Sequence, residues 1–185
     1  MMAESVCMEA KRFIFLDRDG VIIKDKPYIH EIADIEFLPN AIAGLLKIQQ
    51  LGYGFIIITN QAGVARGYYT FKEAEDFHGE VVKRLNAQGV YIKKSYLCPH
   101  HPDFTGNCDC RKPRAGLIER AVKELDIPMA GGIFIGDKDC DIQLGKNCNG
   151  RTFLIKNGQY QTTEEPDFAV HDLMGAYNIL WRLPK

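Results

Sequence analysis

Apolar residues in this chain come in short blocks, and the blocks end in similar breaks. Phe13 to Leu16 runs straight into Asp17-Arg18-Asp19-Gly20-Val21, Phe55 to Ile58 into Thr59-Asn60-Gln61, and Ile133 to Ile135 into Gly136-Asp137-Lys138. Runs of this length, rich in β-branched and aromatic residues, predict buried strands. The polar or glycine-bearing break predicts a turn at each carboxyl end. Val90 to Leu97 and Thr152 to Ile155 read as further strands.

Helical spacing fills the intervals. After the first strand, Ile22 to Phe37 reads as a polar, turn-rich connection carrying Asp25, Pro27, Tyr28 and His30. Pro39 then opens a helix with Ala41, Ile42, Leu45, Leu46 and Ile48 on one side, closed by Gly52. Thr70 caps a longer helix that runs to about Gln88 before Gly89. A helix from Arg114 to Leu125, a short one near Ile142, and a last strand and helix from Asp167 complete the alternation. Strands alternating with helices predict an α/β fold, a Rossmann-like three-layer sandwich with a mostly parallel central sheet. With 185 residues, the chain suffices for one well-buried domain, expected over residues 12–185 after a flexible extension, 1–11.

In such sheets the ligand crevice lies outside the carboxyl ends of the strands. Asp17, Asp19, Thr59, Asn60, Asp137, Lys138 and Asp141 should therefore converge, with Arg111 and Lys112 arriving from the loop before the Arg114 helix. Singly, each has a plainer reading: a strand-end hydroxyl, a solvated lysine, a turn-forming aspartate. Together they offer carboxylates for a cation and Lys, Arg and hydroxyl groups for a phosphoryl anion. Two carboxylates two residues apart, expected to point at solvent, can chelate a hard cation, while one acts as nucleophile and the other as acid and base.

Composition narrows the partners. A net charge of −1 disfavours nucleic acid and anionic membrane surfaces. The longest apolar runs are strand-sized and the start carries no signal-peptide core, which points to the cytoplasm. There the cysteines, six in all, are expected as metal ligands or buried thiols rather than disulfides.

The ordered set DRDGV, TNQ, RKP and GDKDCD resembles the four motifs of the haloacid dehalogenase superfamily of phosphohydrolases. The resemblance implies Asp17 as the nucleophile that forms an aspartyl-phosphate and Asp19 as the general acid and base. It implies Thr59 and Lys112 as holders of the phosphoryl oxygens, and Mg²⁺ on Asp17, Asp137 and the main-chain carbonyl of Asp19. Superfamily cap domains are inserted after the first motif or before the Lys motif. Here 41 residues separate Asp17 from Thr59, filled by the connection, a helix and a strand, and the second gap is equally full, so the fold should be capless.

Cys98-Pro99-His100-His101-Pro102 followed by Cys108-Asp109-Cys110 has the composition of a zinc-wrapped loop over residues 98–110. Cys98, His100, Cys108 and Cys110 would make a closed, structural tetrahedral Zn²⁺ site, with His101 as the substitute ligand. Cys7, Cys140 and Cys148 read as ordinary thiols. A CPHH loop running into CxCRKP resembles the D-glycero-D-manno-heptose-1,7-bisphosphate 7-phosphatases and their relatives, the histidinol-phosphate phosphatases. TNQAGVARGYY and DKPYIHEIADIEF favour the heptose group. That resemblance implies a sugar bisphosphate substrate contacted by Asp25, Tyr28, Asn60, Gln61, Ala62, Arg66, Arg111 and Lys138. It also implies a monomeric enzyme supplying activated heptose for lipopolysaccharide. A zinc-stapled binding domain without turnover is the reading from another class, and it would have no need of Asp17, Asp19, Lys112 and Asp137 together.

Overall fold

Six parallel strands form one sheet in the order β3-β2-β1-β4-β5-β6. The computed structural model describes residues 12–129 and 131–184. The expected extension over residues 1–11, with Cys7, lies outside them. Along the chain come β1 (Arg12–Leu16), α1 (Ala41–Gln50), β2 (Tyr53–Asn60), α2 (Ala62–Ala65), α3 (Phe71–Ala87), β3 (Ile92–Cys98) and α4 (Pro102–Thr105). There follow α5 (Gly116–Leu125), β4 (Ile133–Gly136), α6 (Asp139–Asn147), β5 (Arg151–Ile155), β6 (Phe168–Val170) and α7 (Leu173–Leu180). The expected parallel α/β sandwich is thus present, and among the described strands no antiparallel member interrupts the sheet.

Residues on alternate sides of each strand build two cores. Ile14, Leu16, Phe55, Ile57, Ile133, Ile135 and Phe153 pack under α1, α3 and α7, while Phe15, Ile56, Ile58 and Phe134 pack under α5 and α6. A sheet covered on both faces explains why β2 reads as an unbroken apolar run rather than an alternating one. Gly44 lets α1 lie against α7, since a Cβ there would come within 2.6 Å of the Leu173 main chain.

Thr70 forms the expected cap. Its hydroxyl accepts from the Glu73 N–H at 3.2 Å, and Glu73 accepts in return from the Thr70 N–H at 2.7 Å, a reciprocal box worth about 1 kcal/mol.

The connection after β1 departs from expectation. Ile22, Ile23, Ile29 and Ile35 are buried in the core beneath α1 and α3, each worth about 1.5–3 kcal/mol. Ile23 bridges both Asp19 and Phe37, and residues Ile32–Asp34 form a 3₁₀ turn. The segment is therefore a pinned flap rather than a polar tether. Two short helices, α2 and α4, were also unexpected, and α5 begins at Gly116 rather than Arg114. No helix among the described residues is long and apolar enough to cross a membrane.

In this strand order β1 lies between β2 and β4, so the chain changes direction across the sheet there. The switch point opens a crevice at the strands' carboxyl ends.

Candidate active site

Asp17 leaves β1 and extends its ladder, donating its N–H to the Ile135 carbonyl at 2.9 Å. Asp137 follows β4, Thr59 and Asn60 end β2, and Asp141 stands in the first turn of α6. One carboxylate oxygen from each of Asp17, Asp137 and Asp141 lies within 4.8 Å of the others, and all three residues are buried. Lys112 is inserted among them. Its Nζ lies 2.9 Å from Asp17 Oδ1 and 2.7 Å from Asp141 Oδ1, and it donates to the Ile58 carbonyl at 2.9 Å.

The charge balance at this cluster is unfavourable without a further cation. Burial pushes the Asp17 carboxyl up to about 6 against the pull of Lys112. Burial and then the nearby Asp17 push Asp137 up to about 7. Burial pulls the Lys112 ammonium down, but Asp141 and Asp17 outweigh it and hold Lys112 above its ordinary range. Asp137 Oδ1 is buried and has no hydrogen-bond partner among the described residues, the Lys138 ammonium standing 3.9 Å away, and a buried anionic oxygen without a hydrogen bond is costly. Its Oδ2 accepts from Asn157 Nδ2 at 3.1 Å, which also donates to the Gly20 carbonyl at 3.1 Å. Gly20 has φ +79°, and a Cβ there would fall 2.1 Å from Asp137 Oδ2. An orphaned oxygen, three converging carboxylates and a backbone kept clear of side chains fit a hard divalent cation. The sequence places Asp141 at the crevice without a metal role, and the structure adds it to the carboxylate set.

Asp17 presents its two oxygens differently. Oδ1 takes the Arg18 N–H at 2.7 Å as well as Lys112, whereas Oδ2 accepts no hydrogen bond among the described residues. Asp19 does not point at solvent as expected. It is buried, and Arg18 Nε and Nη2 grip Oδ1 and Oδ2 at 3.0 and 2.9 Å, with Gln61 Nε2 at 2.8 Å from Oδ2. Burial raises its pKa, but the Arg18 guanidinium and these hydrogen bonds outweigh that, and the group sits below the usual carboxylate range. Arg18 itself is fully buried over the Phe77 ring, its centre 4.7 Å away. An arginine inside a turn motif gives no sequence signal of burial, and its role was missed.

A cleft of about 310 Å³ opens beside these groups, lined by Asp19, Asp25, Tyr28, Asn60, Gln61, Ala62 and Lys138 from the expected set and by Tyr69 and Tyr160 besides. Lys138 Nζ pairs with Asp25 Oδ2 at 2.8 Å, and the Tyr160 hydroxyl donates to the same oxygen at 2.6 Å. Asn60 exchanges two hydrogen bonds with the main chain of Lys112. Arg66 and Arg111 lie outside this lining. Arg66 stacks on Phe104 at 4.5 Å beside His101 Nε2 at 3.4 Å, and Arg111 Nη1 donates to the His100 carbonyl at 3.0 Å. Neither has a carboxylate partner among the described residues. A larger hollow, about 400 Å³, lies at the opposite, amino ends of the strands between Tyr53, Gly132 and Arg151, away from the carboxylates.

Cys98, His100, Cys108 and Cys110 converge on one point. Their Sγ atoms lie 3.0, 3.5 and 3.8 Å apart, and His100 Nδ1 is 3.2 Å from Cys110 and 3.8 Å from Cys98. Thiolates around tetrahedral zinc stand about 3.8 Å apart, so the donor set fits such an ion. His101 turns away, its Nδ1 accepting from the Asp103 N–H at 3.3 Å. Cys140 and Cys148 stand apart as free thiols.

A buried aspartate, Asp17, at the switch point of a 3-2-1-4-5-6 sheet, with a lysine and two further aspartates around it, defines a haloacid dehalogenase-like phosphatase. Residues 109–176 match the Hydrolase_like family, described as HAD-hydrolase-like. The α-anomer D-glycero-alpha-D-manno-heptose-1,7-bisphosphate 7-phosphatase of Photorhabdus laumondii is 44% identical over 162 residues, 84% of this chain and 88% of that protein. The β-anomer 7-phosphatase of the same organism is 37% identical over 157 residues, 82% and 84% of the two chains. The crystal structure of the D,D-heptose 1,7-bisphosphate phosphatase from B. bronchiseptica, complexed with magnesium and phosphate, matches with a TM-score of 0.80 at 25% identity, covering 92% of this chain and 98% of that one. The chain belongs to the D-glycero-D-manno-heptose-1,7-bisphosphate 7-phosphatase family, and it is a phosphoric monoester hydrolase.

Proposed function

We propose that this enzyme removes the 7-phosphate of D-glycero-D-manno-heptose 1,7-bisphosphate, with the α-anomer preferred. The bare Asp17 Oδ2 beside Lys112 carries the phosphatase chemistry, and the closer identity to the α-anomer enzyme than to its β counterpart in one organism supports the anomer.

Asp17 Oδ2 attacks phosphorus, the bond from phosphorus to sugar O7 breaks, and protonated Asp19 gives its proton to the departing oxygen. Asp19 then takes a proton from water, the water oxygen attacks the aspartyl-phosphate, and inorganic phosphate leaves with the Asp17 carboxylate restored. The Thr59 hydroxyl and the Lys112 ammonium hold the transferring oxygens, and catalysis is mostly positioning and charge stabilisation. Mg²⁺ on Asp17, Asp137 and the Asp19 carbonyl, with Asp141 beside them, would neutralise charge that otherwise repels the phosphate dianion. Arg18 holds Asp19 as an anion in the resting site, so the carboxyl must loosen from that grip to take up its first proton.

Asp25, Tyr28, Ala62 and Lys138 would hold the sugar, and Arg66 and Arg111, without carboxylate partners among the described residues, would meet the distal phosphate from the rim. Zn²⁺ on Cys98, His100, Cys108 and Cys110 would brace the loop that ends two residues before Lys112. The enzyme would work in the cytoplasm as a monomer, supplying activated heptose for lipopolysaccharide. A phosphate-release assay over both heptose bisphosphate anomers, histidinol phosphate and fructose bisphosphate tests the reading. Turnover of the α-anomer with the highest kcat/KM is the expected result, and a preference for histidinol phosphate would overturn it.

A further inference from the structure

Gln61 has both ends of its side-chain amide committed inside the protein. Nε2 donates to Asp19 Oδ2 and to Thr59 Oγ1, each at 2.8 Å, while Oε1 accepts from the Tyr69 hydroxyl at 3.0 Å. An amide can be turned end for end in nearly the same space, so something must choose the direction. The acceptor-only Asp19 carboxylate calls for the nitrogen end, and the Tyr69 O–H, donating to Oε1, anchors the far end of the amide in that setting. Turned round, Oε1 would face a carboxylate oxygen. Both Gln61 and Tyr69 are buried, at 5% and 6% exposure, so bulk water does not take over either bond.

The surroundings are built to keep Tyr69 there. A Cβ at Gly63 would come within 2.3 Å of the Tyr69 ring, so only glycine admits the tyrosine at this depth. His30, from the flap after β1, stacks on the ring with centroids 4.6 Å apart and planes 23° from parallel. The flap, α2 and the two groups at the ends of β1 and β2 thus meet in one chain of contacts, His30 to Tyr69 to Gln61 to Asp19 and Thr59.

We propose that Tyr69 is a positioning residue for proton delivery in phosphoryl transfer: by anchoring the Gln61 amide, it holds the Asp19 carboxyl in its working position. Gln61 is then an internal bridge rather than a sugar contact. The inference rests on the assignment of Asp19 as acid and base. Proton delivery by a well-placed group is worth roughly 10²- to 10⁴-fold in rate, and a loosened donor forfeits part of that.

The test compares two leaving groups. The sugar alkoxide needs a proton as it departs, whereas the phenolate of p-nitrophenyl phosphate departs readily without one. Tyr69→Phe should lower kcat/KM for heptose bisphosphate about tenfold, through kcat, and leave that for p-nitrophenyl phosphate within about twofold. The aryl substrate also reports that the variant is folded. Gln61→Ala should lower kcat/KM for heptose bisphosphate at least as far, and the double variant should be no worse than Gln61→Ala alone, because Tyr69 acts through Gln61. Equal losses on both substrates in Tyr69→Phe, or multiplied losses in the double variant, overturn the proposal. Asp19→Asn, measured alongside, separates the two ideas. If it leaves the ratio of the two substrates unchanged, the acid–base assignment itself fails; if it collapses the ratio while Tyr69→Phe does not, only the role of Tyr69 fails.

Discussion

Asn60 and Lys112, 52 residues apart, are clamped by two hydrogen bonds: Asn60 Nδ2 donates to the Lys112 carbonyl at 3.2 Å, and the Lys112 N–H donates to Asn60 Oδ1 at 3.1 Å. The end of β2 thereby sets where the lysine main chain enters the site. Asn60→Ala should leave the ammonium present but displaced, and small displacements in a preorganised site cost up to about 10²-fold. Steady-state kinetics should give a kcat lowered about 10- to 100-fold with thermal stability reduced by roughly 1 kcal/mol for the lost bonds.

Asp17→Asn should abolish turnover with the fold intact, because a neutral amide does not attack phosphorus. Phosphate release at background level from a protein with an unchanged circular dichroism spectrum is the expected result.

Metal-free protein should lose stability as pH rises. Asp17 and Asp137 hold their protons up to about 6 and about 7 when folded, against 3.8 ordinarily, so between about pH 4 and 7 the folded state binds more protons than the unfolded one. Their contribution is complete below that window and is lost across it. Asp19, shifted the opposite way, contributes above 3.8 and loses its contribution only at more acid pH. Melting in a chelator should give a lower Tm at about pH 8 than at pH 5, and Mg²⁺ should raise Tm most at the higher pH.

Cys110→Ser removes a ligand from the four-member Cys/His cluster. Elemental analysis should find about one zinc per wild-type chain and little in the variant, and kcat should fall as Arg111 and Lys112 lose their brace. Structural zinc in small peptides contributes about 10–16 kcal/mol, so disorder of residues 98–110 should accompany the loss even if the sheet survives.

Arg66→Ala should weaken the bisphosphate selectively. A charge-assisted hydrogen bond is worth about 1.5–3 kcal/mol, which predicts KM for heptose bisphosphate raised about tenfold or more. Turnover of p-nitrophenyl phosphate, which has no distal phosphate, should be unchanged. An unchanged ratio between the two removes Arg66 from recognition.

The strand-end rule locates Asp17, Thr59 and Asp137 because a parallel sheet sends successive carboxyl ends to one edge, and it needs only the order of apolar blocks, whereas Lys112 follows from its place in the loop before α5. The Thr70 box was equally legible, since its partner lies three residues away. What stayed hidden depends on distant segments. Nothing local tells that Arg18 turns inward over Phe77, or that Asn157 reaches Gly20 across 137 positions. Ile22 and Ile23 were read with their polar neighbours, though the helices above them made them core. Arg66 and Arg111 are expected at the sugar bisphosphate, but no sequence signal tells that Arg66 lies over Phe104 or that Arg111 donates to the His100 carbonyl.

The place of β1 in the sheet has a consequence for synthesis. It pairs with β2 on one side and with β4 on the other, and Asp17 makes its first ladder bond to Ile135. A growing chain can close the first pair early but cannot complete the second until β4 has left the ribosome. A nascent chain that carries Asp17 should therefore stay inert toward phosphate esters until β4 arrives, and a ribosome-stalled product ending before Asp137 should translate normally and hydrolyse nothing.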